Sequence, residues 1–157
     1  MAALLAVDAK GELACVMIPL ANTHLLLPNV TVAEILPWRR ITPVADAPKW
    51  CLGLLGWRGE TLPVVHFEAL NGGRELLGGG RGRCLLIMNR ARHAQGRGFY
   101  ALASAGLPRI VHLNDDDLQI HTVHLGPAEV AALQVGTEFA VVPDLAFIED
   151  QIATLDC

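Results

Sequence analysis

Apolar residues in this chain occur in short runs rather than in long helical stripes. Fifteen glycines and nine prolines punctuate the 157 residues. The apolar pieces between them are roughly 5–8 residues long, a length typical of strands rather than of long helices. The pattern therefore predicts an all-β fold with a few short helices.

The first half of the chain predicts five strands, the first two of which flank a turn at Ala21-Asn22 and would form a hairpin. These strands are Glu12–Pro19, Thr23–Leu27, Val30–Leu36, Leu52–Trp57 and Thr61–Phe67. The connector from Pro37 to Pro48 contains three prolines, which disfavour a helix. Pro63, inside the fifth strand, predicts an edge position or a bulge, because proline cannot donate to a sheet.

The second half begins with the glycine-rich segment Gly72–Arg83 and then returns to short apolar runs. The predicted strands are Cys84–Met88, Phe99–Ala103, Arg109–Leu113, Ile120–Leu125 and Glu138–Val142. Asn114–Asp117 predicts a turn and Pro127–Leu133 predicts a helix, with proline in its first turn. Asp144 is placed to cap a terminal helix that runs through Thr154. Two groups of strands on either side of a glycine-rich break are typical of small barrels or a sandwich.

The composition and net charge limit the classes of protein to which this chain can belong. Hydrophobic residues make up 52% of the chain and charged residues 18%, which predicts one domain or two small subdomains with a shared core. A net charge of −4 disfavours nucleic-acid binding, and the arginines between residues 74 and 97 are interpreted as a solvated loop. Neither a membrane-spanning segment nor a signal peptide is expected. The four cysteines form no CxxC pair. Without an export signal a disulfide framework is not expected, and a cytoplasmic location is.

No residue pattern requires catalysis or a cofactor. The glycine-rich segment lacks the lysine and hydroxyl of a phosphate-binding loop, and Ser104 lies outside a Gly-x-Ser-x-Gly motif. Cys51 and His66 would need the fold to bring them together. Three histidines would form a metal site only if the fold joined them, namely His112, His121 and His124. We therefore expect a protein without catalytic residues, cofactor or metal, and keep a small metal- or ligand-binding β-barrel as the alternative.

The segment Gly56-Trp57-Arg58-Gly59-Glu60 places a fixed positive charge at the bend between two apolar strands. Gly59 would allow a backbone conformation closed to other residues. An exposed arginine ringed by Trp57 and aliphatic side chains such as Leu55 and Val32 is typical of a protein–protein hot spot. An arginine that only caps the turn, or pairs with a local carboxylate such as Glu60, is the structural alternative.

The order of motifs from about Glu12 to Leu70 resembles the CheW family of chemotaxis coupling proteins. The matching pieces are Val32-Ala33-Glu34-Ile35, the proline connector, Gly53-Leu54-Leu55-Gly56-Trp57-Arg58-Gly59 and Pro63-Val64-Val65. Their combination in this order is far more specific than any single piece. The second half of the chain matches the family pattern mainly in the spacing of its predicted strands and in its terminal helix.

The resemblance implies a non-catalytic adaptor that links methyl-accepting receptors to a CheA-type histidine kinase. Its fold would be two small five-stranded SH3-like β-barrels around a shared core, forming one domain over residues 12–150. The first barrel would lie mainly in residues 20–85, the second mainly in 85–142 and the terminal helix in 144–154, after an N-terminal segment of residues 1–11. The kinase would pack on the first barrel, and the protein would be cytoplasmic and recruited to membrane-associated receptor arrays.

The resemblance also implies roles for individual residues. Val32, Glu34 and Arg58 would face the helical tip of the receptor's signalling domain. Three further residues would shape that surface, namely Gly53, Trp57 and Gly59.

The chain departs from the family pattern at several positions. Pro63-Val64-Val65-His66-Phe67 stands where the family usually has Pro-Val-Ile-Asp-Leu, and Gly56 stands where asparagine is common before the Trp-Arg-Gly segment. Leu102-Ala103-Ser104-Ala105 lacks the acid of the family's Leu-Val-Asp segment. These departures suggest a divergent coupling protein, for example one that serves type IV pili and twitching motility.

Overall fold

The structure is a computed structural model that describes residues 12–73, 82–89, 98–114, 118–121 and 124–155. The first strands are β1 (Leu13–Pro19), β2 (His24–Pro28), β3 (Val32–Pro37), β4 (Cys51–Trp57) and β5 (Glu60–Val65). The later strands are β6 (Cys84–Met88), β7 (Tyr100–Ala103), β8 (Arg109–Leu113), β9 (Leu118–His121), β10 (Glu129–Val135) and β11 (Glu138–Pro143). The helices are α1 (Phe67–Leu70), α2 (Leu145–Ala153) and a 3-10 turn at Asn29–Thr31. The predicted all-β class with a few short helices is confirmed.

The strands form two sheets. The five-stranded sheet has the order β3-β6-β7-β5-β4, and the six-stranded sheet has the order β8-β1-β2-β11-β10-β9. The predicted hairpin of β1 and β2 is present, with Pro19 opposite His24. Parallel pairing of Leu25 with Val141 then joins this hairpin to the C-terminal strands.

The boundary expected near residue 85 does not separate the two sheets. The five-stranded sheet takes its strands from residues 32–103, whereas the six-stranded sheet combines residues 13–28 with residues 109–143. The cause is the pairing of β1 with β8, of β2 with β11 and of β5 with β7, which sequence order alone does not reveal. The expected barrels, mainly residues 20–85 and mainly residues 85–142, do not coincide with the two sheets, and the division into barrels stays a prediction.

Three apolar clusters fill the fold, and one of them is shared by both sheets. The shared cluster includes Val16 and Ile18 of β1, Leu102 of β7, and Ile148 and Ile152 of α2. A second cluster lies on the other face of the five-stranded sheet and a third on the other face of the six-stranded sheet. Because both faces of β1 are buried, its apolar run is continuous rather than alternating.

The helix predicted over Pro127–Leu133 is wrong, because residues Glu129–Val135 form strand β10. This strand lies between β9 and β11 and pairs with both. Ala132 contributes to the shared cluster and Leu133 to the cluster on the opposite face of the sheet. Burial on two faces therefore overrides the intrinsic helix preference of alanine and leucine.

The edge position predicted from Pro63 is also wrong. Strand β5 lies between β4 and β7, and Pro63 is opposite Leu54. Pairing with β7 begins only at Val64, so the missing N–H of Pro63 interrupts no described pair with that strand. A register shift of the kind produced by a bulge lies next to it, in β4 between Cys51 and Gly53.

The predicted cap of the terminal helix is confirmed. Asp144 precedes α2, and its Oδ1 accepts a hydrogen bond from the backbone N–H of Phe147 at 3.1 Å. Neither of the described α-helices has the length and hydrophobicity needed to span a bilayer. Most of the predicted glycine-rich loop and of the Asn114–Asp117 turn lies outside the described residues.

Candidate docking site at the closure of the five-stranded sheet

The bend predicted at Arg58-Gly59 is a two-residue hairpin between β4 and β5. Trp57 pairs with Glu60 across it, and the φ angles of Arg58 and Gly59 are +47° and +76°. A hairpin whose two central residues both have positive φ has the type I′ pattern, which matches the right-handed twist of the flanking strands. Glycine adopts this conformation freely, but for arginine it costs on the order of 1 kcal/mol. The arginine is therefore held in a conformation that its own backbone disfavours.

One carboxylate holds both side chains at the end of β4. Oε1 of Glu34 accepts a hydrogen bond from Nε1 of Trp57 at 2.9 Å and from Nη2 of Arg58 at 3.1 Å. The guanidinium carbon of Arg58 also lies 4.9 Å from the centroid of the Trp57 ring, a cation–π distance. The acid that pairs with Arg58 is thus 24 residues away on β3, and not a neighbour in the turn.

The arginine remains open to solvent despite this pairing. Its side chain is 70% exposed, whereas that of Glu34 is 35% exposed. An exposed ion pair contributes at most about 1 kcal/mol to folding, so its main effect here is orientation. The planar guanidinium has several N–H donors and Glu34 occupies one, which leaves others for a partner.

This group lies where the two edges of the five-stranded sheet approach each other. Strands β3 and β4 are at opposite ends of the strand order, yet Glu34 on β3 contacts Trp57 and Arg58 at the end of β4. Beyond β3, Nη1 of Arg39 donates to the carbonyl oxygen of Gly56 at 3.3 Å. The sheet therefore curls, and side chains rather than a backbone ladder join its edges. We call the group of Glu34, Arg39, Gly56, Trp57 and Arg58 the closure.

Gly53 allows the proline connector to lie directly against β4. Thr42 and Leu54 exchange two backbone hydrogen bonds, of 2.9 and 2.8 Å. At Gly53, whose φ is +139°, an added Cβ would lie 2.2 Å from the carbonyl oxygen of Thr42. No side chain fits there, so this glycine determines where the connector runs beside the closure.

Three other residues expected at the surface around Arg58 are more buried than predicted. Trp57 is 7% exposed and packs edge to face on Phe99, with ring centroids 4.8 Å apart. Val32 is partly buried, pairs with Met88 and packs against the shared cluster. Leu55, expected beside Arg58 on the surface, is fully buried. The accessible part of the predicted site is therefore centred on Arg58 and Glu34.

The candidate nucleophiles have structural roles. Ser104 is fully buried, and its hydroxyl accepts a hydrogen bond from the N–H of Cys84 at 3.1 Å and donates to the carbonyl of Gly106 at 2.7 Å. Burial raises the pKa of the Cys84 thiol, and the hydrogen bond with Ser104 opposes that rise only in part. Cys51 is buried and its Sγ contacts the carbonyl of Gly53 at 3.8 Å. None of these groups is exposed to a substrate.

Two histidines of the metal-site alternative lie on different strands. His112 is on β8 and His121 on β9, the two strands at opposite ends of the six-stranded order. Nε2 of His121 is 3.1 Å from Oε1 of Gln134. Across the described parts of the chain, no group of three or more potential metal ligands converges.

The sequence did not reveal an apolar cavity of about 340 Å³ in the six-stranded sheet. Its lining includes Leu13, Cys15, Leu26, Val130 and Leu145. The cavity was not predicted because residues 127–133 were expected to form a helix, whereas Val130 lines the cavity as part of strand β10. The Arg39 contact at the closure was also missed, since nothing in the local sequence connects Arg39 with Gly56.

Comparison with known proteins now identifies the fold. No curated protein is significantly similar in sequence. The crystal structure of the scaffolding protein TtCheW from Thermoanaerobacter tengcongensis is similar, with a TM-score of 0.68 and 16% sequence identity. The match covers 84% of this chain and 88% of that protein. The profile of the CheW-like domain matches residues 14–151, and the chain therefore belongs to the CheW-like domain family.

Proposed function

We propose that this protein is a non-catalytic adaptor that couples methyl-accepting chemoreceptors to a CheA-type histidine kinase. The observation that carries the proposal is the Arg58 side chain, which is 70% exposed and whose guanidinium is oriented by Glu34 beside the ring of Trp57. Membership of the CheW-like domain family and the likeness to a scaffolding protein support it. The proposal includes a cytoplasmic location, with recruitment to membrane-associated receptor arrays that control chemotaxis or twitching motility.

The receptor's signalling domain would dock its helical tip against the closure. Arg58 would donate charge-assisted hydrogen bonds to a receptor carboxylate or backbone carbonyl. Glu34 already accepts from Arg58 and Trp57, so its role in this proposal is to position the guanidinium. Because the arginine is oriented before docking, less side-chain entropy is lost on binding. Val32 adds apolar surface next to this contact, and Gly53 and Gly59 fix the backbone on either side of it.

The regulatory domain of the kinase would bind a different surface, packing barrel against barrel on the first barrel. The surface that binds the receptor and the surface that binds the kinase must be separate, because an adaptor holds both partners at once. Many such two-partner contacts in an array would gain avidity from multivalency. No cofactor or metal is part of this proposal.

The test compares two arginines that are both paired with a glutamate. Arg58→Ala should weaken binding of a purified receptor signalling domain by about thirtyfold, the effect of losing roughly 2 kcal/mol at a hot spot. Arg109→Ala, in the six-stranded sheet, should leave the affinity unchanged. Isothermal titration calorimetry gives both affinities, and circular dichroism melting curves show whether each variant is folded.

Binding of the kinase regulatory domain should survive the Arg58 substitution. Wild-type affinity of folded Arg58→Ala for the receptor domain would remove this residue from the proposed mechanism. Failure of the wild-type protein to bind either partner would refute the adaptor function.

A further inference from the structure

The net charge of −4 combines two segments of opposite sign with a net charge of −1 from residues 1–31. Residues 32–103, which contain the five-stranded sheet, hold ten of the twelve lysines and arginines and only five acids, a net charge of +5. Residues 104–157 hold one arginine and nine acids, a net charge of −8. Opposite net charges in these two segments of the sequence favour an acidic partner for the first segment and disfavour one for the second.

Two of the cations lie along the edge of the same strand at the closure. Arg58 follows β4 in the hairpin, and Arg39 contacts the carbonyl oxygen of Gly56 on β4 at 3.3 Å. Arg39 therefore contacts the chain two residues before Arg58, so both cations belong to the same end of β4.

The backbone between these two cations is bare. Gly56 is exposed, and nothing lies within 4 Å of the position that a Cβ would take there. A partner side chain can therefore approach β4 closely between Arg39 and Arg58.

Of the two arginines at the closure, only Arg58 forms an ion pair among the described residues. Glu34 pairs with Arg58 at 3.1 Å, but none of the carboxylates in the described residues forms an ion pair with Arg39. Arg39 instead donates to a neutral carbonyl and is exposed. A carboxylate from outside would meet a guanidinium that has kept its charge uncompensated.

From these observations we infer that the docking segment is acidic and carries two carboxylates, one for Arg39 and one for Arg58. Arg39 is then a second specificity-determining residue for the partner. This inference rests on the proposed function and states the chemistry that the receptor tip must present.

The test measures affinity for a purified receptor signalling domain at about 50 and about 300 mM NaCl. Arg39→Gln should weaken binding about fivefold at low salt, the effect of losing one solvent-exposed charged contact. The difference from wild type should shrink to less than about twofold at high salt, because ions screen exposed charges. Arg40→Gln is the matched control, with the same change of charge at the next residue, and should stay within about twofold of wild type.

The outcomes separate this inference from the proposed function. Weakened binding by Arg58→Ala together with wild-type binding by Arg39→Gln would overturn the two-carboxylate inference and leave the adaptor function standing. Equal losses in Arg39→Gln and Arg40→Gln would also overturn it, because the effect would then be one of total charge. Wild-type binding by all three variants would overturn this inference and remove Arg58 from the proposed mechanism, whereas failure of the unmodified protein to bind either partner would overturn both.

Discussion

The five-stranded and six-stranded sheets each contain an arginine–glutamate pair that joins strands which are not neighbours in the sheet. In the five-stranded sheet the pair is Arg58 and Glu34, and in the six-stranded sheet it is Arg109 on β8 and Glu138 on β11. Both glutamates bind a second group. Glu34 accepts from Trp57, and Oε2 of Glu138 is 3.2 Å from Nε2 of His24.

The two pairs differ in what they leave available to a partner. Arg58 lies in a hairpin beyond the end of β4 and is 70% exposed, whereas Arg109 is a strand residue opposite Met17 and is 52% exposed. Both carboxylate oxygens of Glu138 are engaged, but the two described bonds to Glu34 use the same oxygen. The same kind of ion pair therefore has two effects. In the six-stranded sheet it links strands, because Arg109 lies within a strand, whereas in the five-stranded sheet it orients an accessible donor, because Arg58 lies in a hairpin.

The largest expected effect concerns the backbone beside the closure. Gly53→Ala should lower the free energy of unfolding by about 3 kcal/mol or more, because a Cβ there would overlap the carbonyl of Thr42 at 2.2 Å. Gly56→Ala, on the same strand, should change it by less than about 0.5 kcal/mol, since its Cβ would meet open space. Urea denaturation of both variants measures the difference. Equal stabilities would show that the connector does not depend on Gly53.

A smaller effect on stability is expected from removing the Arg109–Glu138 ion pair of the six-stranded sheet. Glu138→Gln should lower the free energy of unfolding by up to about 1 kcal/mol, the usual limit for an exposed ion pair. A double-mutant cycle with Arg109→Gln isolates the pairwise contribution. Receptor affinity should not change in any member of the cycle. A loss of affinity comparable to that of Arg58→Ala would contradict the division of roles between the two sheets.

The last prediction concerns pH and Cys15, which is buried in the third cluster, on the outer face of the six-stranded sheet. Burial raises the pKa of the Cys15 thiol from 9.0 to about 11. Because the folded pKa lies above the unfolded one, this thiol's contribution to stability is complete below pH 9 and is lost as the pH rises toward 11. Urea unfolding midpoints at pH 8 and pH 10.5 should fall more for the wild type than for Cys15→Ala. An equal fall in both proteins would assign the alkaline loss to other groups.

Much of this fold follows from local patterns. The apolar runs, the turn at Ala21-Asn22, the Arg58-Gly59 bend and the cap at Asp144 are determined by neighbouring residues, and the structure contains all four. The helix predicted at residues 127–133 failed because its alanines are placed by pairing on both sides of β10, which is not a local property. The sheets cross the expected boundary near residue 85 for a similar reason, since the pairing of β1 with β8 and of β2 with β11 groups the N-terminal hairpin with later strands.

The sequence by itself determined that a fixed positive charge sits at a glycine-supported bend between two buried strands. Only the tertiary structure decided which acid it meets, because Glu34 reaches Arg58 only when the sheet curls and brings β3 beside β4. The approach of Arg39 to Gly56 has the same origin. Strand formation depends on residues close in sequence, whereas the charge environment of the closure depends on how a complete sheet curls around its apolar cluster.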